Sequence, residues 1–171
     1  VDEGGCAAVM HDRDAWRRHP HGRVAVDEPW ARVTRHEAPA SALGPMSAPL
    51  TGVRVLDLTR VIAGPVCTRF LAAQGADVLR IDPPGFAEVP ALVPDTTVGK
   101  RCAALDLRTR AGRELFDDLV RAARVVVHGL RPGALDALGL GAEHLRSVNP
   151  TIIDAGLDAY GWEGPWADRR G

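Results

Sequence analysis

Three short segments carry the residue types that meet anions. Arg60-Val61-Ile62-Ala63-Gly64-Pro65 sets a guanidinium beside small residues that let a ligand approach the backbone. Asp82-Pro83-Pro84 puts an acid about where a ribose-binding carboxylate belongs, and His128-Gly129-Leu130-Arg131-Pro132 carries a further arginine. Guanidinium groups and the unpaired N–H groups of a helix start are what phosphates bind. A plainer reading takes all three as tight connections and no more. A nicotinamide-binding domain is disfavoured, because the first segment has one glycine and a proline in place of GxGxxG. Gly99-Lys100 resembles the end of a phosphate-binding loop, but Pro94 replaces its leading glycine and Arg101 its Ser/Thr, which rejects a nucleoside triphosphatase.

The remaining candidates read as bland. His11, His19, His21 and His36 have no helical i, i+4 pairing and no neighbouring set of acids, so solvated surface histidines are expected rather than metal ligands. The three cysteines, Cys6, Cys67 and Cys102, are widely spaced with no CxxC pair, which predicts free thiols and no metal. Asp168 precedes Arg169 and Arg170 and reads as a solvated turn residue paired with them.

The elements that position the three segments follow from the apolar pattern. Val53–Leu58 is short and apolar, as a buried strand should be, and Pro65 suits the first position of a following helix that runs to about Gln74 and is capped by left-handed Gly75. Asp77–Asp82 is a second strand, stopped by Pro83-Pro84-Gly85. After a loop without regular signals, Cys102–Leu107 reads as a third strand, and Thr109 begins a helix whose buried face is Leu115, Phe116, Leu119, Val120 and Ala123. Val125–Val127 is a fourth strand, Pro132–Leu138 and Ala142–Val148 are two short helices, and Thr151–Leu157 is another strand. Strands alternating with helices in this order predict an α/β fold with a parallel sheet and right-handed crossovers. Ligands of such sheets bind at the carboxyl ends of the strands, where the three segments fall.

Upstream, residues 1–37 form a polar leader rich in Arg and His, with a short helix expected at Asp12–Arg18, and residues 38–50 form a linker containing Pro39, Pro45 and Pro49. The 171 residues suit one ordinary domain, and 21 Lys and Arg against 22 Asp and Glu leave no global field to recruit nucleic acid or an acidic membrane. No stretch reaches the roughly 20 apolar residues of a membrane span, and no signal peptide is evident, so a cytoplasmic location is expected. The chain opens on Val1 and closes on Gly171 after a polar run, which predicts an internal piece of a longer protein.

From Leu50 onward the sequence resembles the class III CoA-transferases of the CaiB/BaiF type, a family that includes formyl-CoA transferase, carnitine CoA-transferase and alpha-methylacyl-CoA racemase. The resemblance rests on residues 50–65, on Gly75–Gly85, on Gly99-Lys100-Arg101 with Leu105–Arg108, on Arg131–Leu135 with Leu138-Gly139-Leu140, on Asn149-Pro150, and on Tyr160-Gly161 with Gly164-Pro165, all in family order. It implies a Rossmann-like parallel sheet with flanking helices, incomplete within these residues and preceded by a mostly irregular leader and linker. The implied ligand is coenzyme A, as acyl-CoA, with a carboxylic acid as second substrate and an interlocked homodimer as the assembly. The implied contacts are Arg60, Val61, Ile62 and Ala63, then Leu105, Asp106, Leu107 and Arg108, then Gly129, Leu130 and Arg131.

Three positions depart from the family pattern. Pro83 stands where an arginine is often found, Gly129 where asparagine is usual, and His128 where an acid is common. The resemblance also implies that the catalytic aspartate of transferases, a nucleophilic carboxylate, lies roughly thirty residues beyond the Gly164-Pro165 segment. The histidine of the racemases' His and Asp acid–base pair would fall just after Gly171, so no catalytic residue is expected within this sequence. Racemisation of an acyl-CoA and a non-catalytic, dimer-packing half of a tandem protein are the alternatives to CoA transfer. Trp16, His19-Pro20-His21-Gly22 and Glu28-Pro29 resemble the C-terminal portion of the same enzymes, which would make the leader the end of a preceding family half.

Overall fold

The computed structural model describes residues 9–39, 44 and 47–169. Cys6, Pro45, Arg170 and Gly171 therefore lie outside the described residues, as does much of the linker. The chain divides into two compact units, one made of residues 37–157 and the other of residues 1–36 together with 158–171.

The larger unit contains five parallel strands: β1 (Arg54–Leu58), β2 (Asp77–Asp82), β3 (Lys100–Ala104), β4 (Val125–His128) and β5 (Ile153–Gly156), in the order β3-β2-β1-β4-β5. Five helices connect them: α3 (Ala63–Ala73) after β1, α4 (Val93–Thr97) after β2, α5 (Arg110–Ala122) after β3, and α6 (Ala134–Ala137) and α7 (Ala142–Val148) after β4, while α1 (Arg13–Arg18) and α2 (Pro20–Asp27) belong to the smaller unit. The central strands are covered on both faces, as parallel strands must be. Leu56, Leu58, Ile81 and Val126 face Phe116 and Val120 of α5, Leu135 of α6 and Leu145 of α7. Val53, Val55, Val78 and Val127 form the opposite core, against which Leu71 and Ala72 of α3 pack. Strand order reverses between β1 and β4, so the connections leave a crevice at the carboxyl ends of these two strands.

The elements match the sequence expectations with instructive shifts. The third strand is displaced to Lys100–Ala104 from the expected Cys102–Leu107. The Leu105 amide still donates to the Asp82 carbonyl at 2.8 Å, but the Asp106 carboxylate accepts from the Arg108 amide at 3.0 Å and Thr109 caps α5 by accepting from the Gly112 amide at 3.0 Å, so side-chain hydrogen bonds turn Asp106 and Leu107 out of the ladder. Pro65 occupies the third helical position, not the first, because the helix starts two residues earlier at Ala63. Gly75 has φ 97° and ends α3 as expected of a left-handed cap. On α5 the buried stripe runs through Gly112, Phe116 and Val120, and Leu115, expected inside, is exposed at its edge. α4 was not expected; it is a five-residue turn of helix opened by Pro94.

In the smaller unit, α1 (Arg13–Arg18) begins as expected at Asp12, whose carboxylate accepts from the Ala15 amide at 2.7 Å. α2, in a stretch expected to be irregular, starts at Pro20, with His19 capping it. His21 corrects the expectation of solvated histidines, because its side chain is fully buried. Its Nδ1 accepts from the Trp166 amide at 3.1 Å and its Nε2 donates to the Tyr160 carbonyl at 2.6 Å. Trp166 stacks on His21 and Trp16 stacks on His19. His19 is shifted below its ordinary value by burial, and then by His11, His21 and Arg169. Glu28 accepts from the Trp162 amide at 2.9 Å and Arg32 pairs with Glu163 at 2.9 Å, closing this unit upon itself.

Candidate functional site

A groove with a volume of about 420 Å³ runs across the carboxyl ends of β1, β2 and β3 and reaches the turn after β4. Its floor is apolar, from Leu58, Ile81, Leu105, Leu107, Leu130 and Leu138, and its rim carries Arg60, Asp106 and Arg108. Apolar walls with a few polar groups are the ordinary make-up of a small-molecule site, and the volume lies in the usual range. Six of the eleven residues expected at the site line this groove: Arg60, Leu105, Asp106, Leu107, Arg108 and Leu130. The other five, Val61, Ile62, Ala63, Gly129 and Arg131, are exposed on the two flanking turns and do not line it. Those turns are close together, since a Cβ added at Gly129 would lie 4.0 Å from Thr59 Cβ.

The turn after β1 has two properties that suit a ligand. Val61 is the only non-glycine residue with positive φ among the described residues, at 68°, a conformation that costs a β-branched side chain energy and clusters at functional sites. α3 then begins with no side-chain cap, so the amides at its first positions have no side-chain acceptor. A Cβ at Gly64 would overlap Thr59 Cβ and Cγ2, so only glycine allows the helix start to approach the turn this closely.

The arginines differ in their availability. The Arg60 guanidinium lies 4.2 Å over the ring of Phe86, whose role no sequence motif signals. Its loop is anchored by buried Arg80, which donates to Asp82 at 2.9 Å and to Glu88 at 3.0 Å. Burial pushes the Glu88 carboxyl up, but the Val89 amide, Arg80 and the Val61 amide outweigh it and hold the group below its ordinary value. Arg108 is gripped in a two-toothed pair by Asp106, with both N···O distances at 2.9 Å, and does not point freely at a ligand as expected. Hydrogen bonds from the Arg108 side chain and amide lower the Asp106 carboxyl to about 2. Arg131 is exposed and makes no ion pair among the described residues.

Elsewhere in the larger unit a wider depression of about 560 Å³ lies among α5, α6 and α7, lined by Arg110, Arg113, Asp117 and His144. Its charged groups already have partners: Arg110 pairs with Glu114 at 2.7 Å, His144 with Asp117 at 2.8 Å, and Arg113 donates to the Arg108 carbonyl at 3.0 Å. It lies away from the strand ends, and the groove is the better candidate. Cys67 and Cys102 are exposed free thiols. Among the described residues no group of three or more His, Cys, Asp or Glu is placed to hold a metal ion, and no helix is long and apolar enough to cross a membrane. Asp168 is exposed.

Comparison with known proteins gives this geometry a family. The chain is 37% identical over 127 residues to a formyl-CoA:oxalate CoA-transferase of Escherichia coli O81 (strain ED1a), covering 67% of this chain and 30% of that protein. An acyl-CoA transferase of Fusarium pseudograminearum (strain CS3096) is 32% identical over 160 residues, covering 82% of this chain and 35% of that one. Among solved structures, a CaiB/BaiF family protein from Brucella suis superposes with a TM-score of 0.66 at 35% identity, covering 74% of this chain and 37% of its own. The hypothetical protein Rv3272 from Mycobacterium tuberculosis superposes with a TM-score of 0.65 at 37% identity, covering 73% and 38%. The chain thus spans about a third of the length of the relatives it matches. The profile of CoA-transferase family III matches residues 50–171, most of the sequence, and the chain belongs to that family.

Proposed function

We propose that the groove and its two flanking turns bind the coenzyme A part of an acyl-CoA, and that the whole protein transfers CoA from an acyl-CoA to a carboxylic acid. The observation that carries this reading is the convergence of Arg60, Leu105–Arg108 and Leu130 on one groove at the strand ends, beside a strained and uncapped turn. The apolar floor suits adenine or the pantetheine arm, and Arg60, Arg131 and the amides of Ala63 and Gly64 suit the phosphates. Arg108 joins them only by exchanging its carboxylate partner for a phosphate. Transfer is favoured over racemisation because the relatives named above by activity are CoA-transferases.

In this reading the 171 residues bind without turning substrate over, and the nucleophilic carboxylate belongs to another part of the whole protein. The same reading makes the assembly an interlocked homodimer in the cytoplasm, with the leader as the end of a preceding family half. Calorimetry tests the binding site. Ala63→Trp in the full-length protein puts a large side chain at the start of α3 and should abolish coenzyme A binding with the thermal midpoint retained; unchanged affinity would contradict the assignment.

A further inference from the structure

Beneath the turn after β1 lies a buried charge pair that makes no contribution to the groove lining. The side chains of Asp57 on β1 and Lys100 on β3 have no solvent exposure. Lys100 Nζ donates to Asp57 Oδ2 at 2.8 Å, to the Pro65 carbonyl at 2.9 Å and to Thr68 Oγ1 at 2.7 Å, which uses all three protons of the ammonium. Asp57 Oδ1 accepts from the Thr59 amide at 2.9 Å and from the Thr59 hydroxyl, while Oδ2 also accepts from the Thr68 hydroxyl at 2.6 Å.

A buried ion pair of this kind is a poor stability device, since an apolar replacement is often as stable, and what it does supply is fixed geometry. Here it ties Thr59, where the turn begins, and Pro65 and Thr68, in the first turns of α3, to a single point. The chain between those anchors contains Arg60, Val61 and Ile62, and the left-handed Val61 persists only if its surroundings over-determine it. Closure of Gly64 onto Thr59 completes the clamp.

We propose that Asp57 and Lys100 are positioning residues for coenzyme A: their buried pair holds the Thr59–Pro65 turn in the strained form that presents its amides to the ligand. This rests on the assignment of that turn to coenzyme A. The test uses the full-length protein with Asp57→Asn/Lys100→Met, which removes both charges together, and separately Thr59→Val, which removes one hydroxyl. Coenzyme A is titrated calorimetrically, and amide hydrogen exchange is followed along the chain. Each variant should weaken coenzyme A binding, by about tenfold or more for the double replacement, and accelerate exchange over residues 59–66 while β2 and β4 stay protected. Val61→Gly added to the double variant should recover part of the affinity, because glycine takes the left-handed conformation without being forced.

Unchanged affinity in both variants, with Ala63→Trp still abolishing binding, would overturn the positioning role and leave the site standing. An Ala63→Trp protein that binds normally would overturn the site, and this inference with it. Should the double variant fail to fold, the affinity and exchange of Thr59→Val decide the question in the same way.

Discussion

At the residue scale, charge partners decide which groups are free to meet a ligand. Arg108 is held by Asp106, and the same grip lowers the Asp106 carboxyl to about 2. A depressed carboxyl stabilises the fold above its unfolded value, here 3.8, and loses that contribution as the pH falls toward about 2. The Asp106–Arg108 pair should therefore stay intact from neutral pH down to about pH 4. In a carboxyl-carbon NMR titration, Asp106 should show a midpoint near 2, returning toward 3.8 in Arg108→Ala. A midpoint near 3.8 in the unaltered protein would contradict the pairing. Some of these partners were open to sequence reasoning. Arg60, Asp106 and Arg108 were identifiable from the family pattern, but longer-range partners were not: Phe86 reaches Arg60 across a loop, and Lys100 on β3 reaches Asp57 on β1 across β2. Gly99-Lys100 reads as a broken phosphate loop and as part of the family pattern, and its engagement with a buried carboxylate leaves no trace in local spacing.

At the element scale, apolar periodicity made the strands and long helices legible, and side-chain hydrogen bonds set their ends. β2 and α7 have the expected bounds, whereas β3 shifted because an Asp106 turn and a Thr109 cap compete with the ladder. α2 was missed because its polar sequence carries no sustained apolar stripe; its order comes from His21 buried among Trp16 and the sequence-distant Tyr160 and Trp166. α5 has the clearest amphipathic pattern and anchors one face of the sheet through Phe116, which is fully buried. Phe116→Ala should cost about 3–5 kcal/mol in chemical denaturation, the range for an aromatic deletion that the core fills only in part. A cost below about 1 kcal/mol would mean that α5 is not packed against β1 and β4 as described.

At the scale of the whole molecule, both faces of β1 and β4 are covered, and exposed apolar groups include Ile62, Val66 and Phe70 along the outer side of α3. The sheet order puts the turns after β1 and β4 side by side at its reversal point, and the groove opens from there across β2 and β3. That layout was legible as a rule of parallel sheets before any contact was known, while the strain at Val61 and the clamp beneath it arise only in three dimensions. The most direct test is a crystal structure of the full-length protein with coenzyme A. Density should run along Arg60–Ala63, Leu105–Arg108 and Gly129–Arg131, with the Arg108 guanidinium released from Asp106 wherever it meets a phosphate. Coenzyme A found in the depression of Arg110, Arg113 and His144, with the groove empty, would contradict the account.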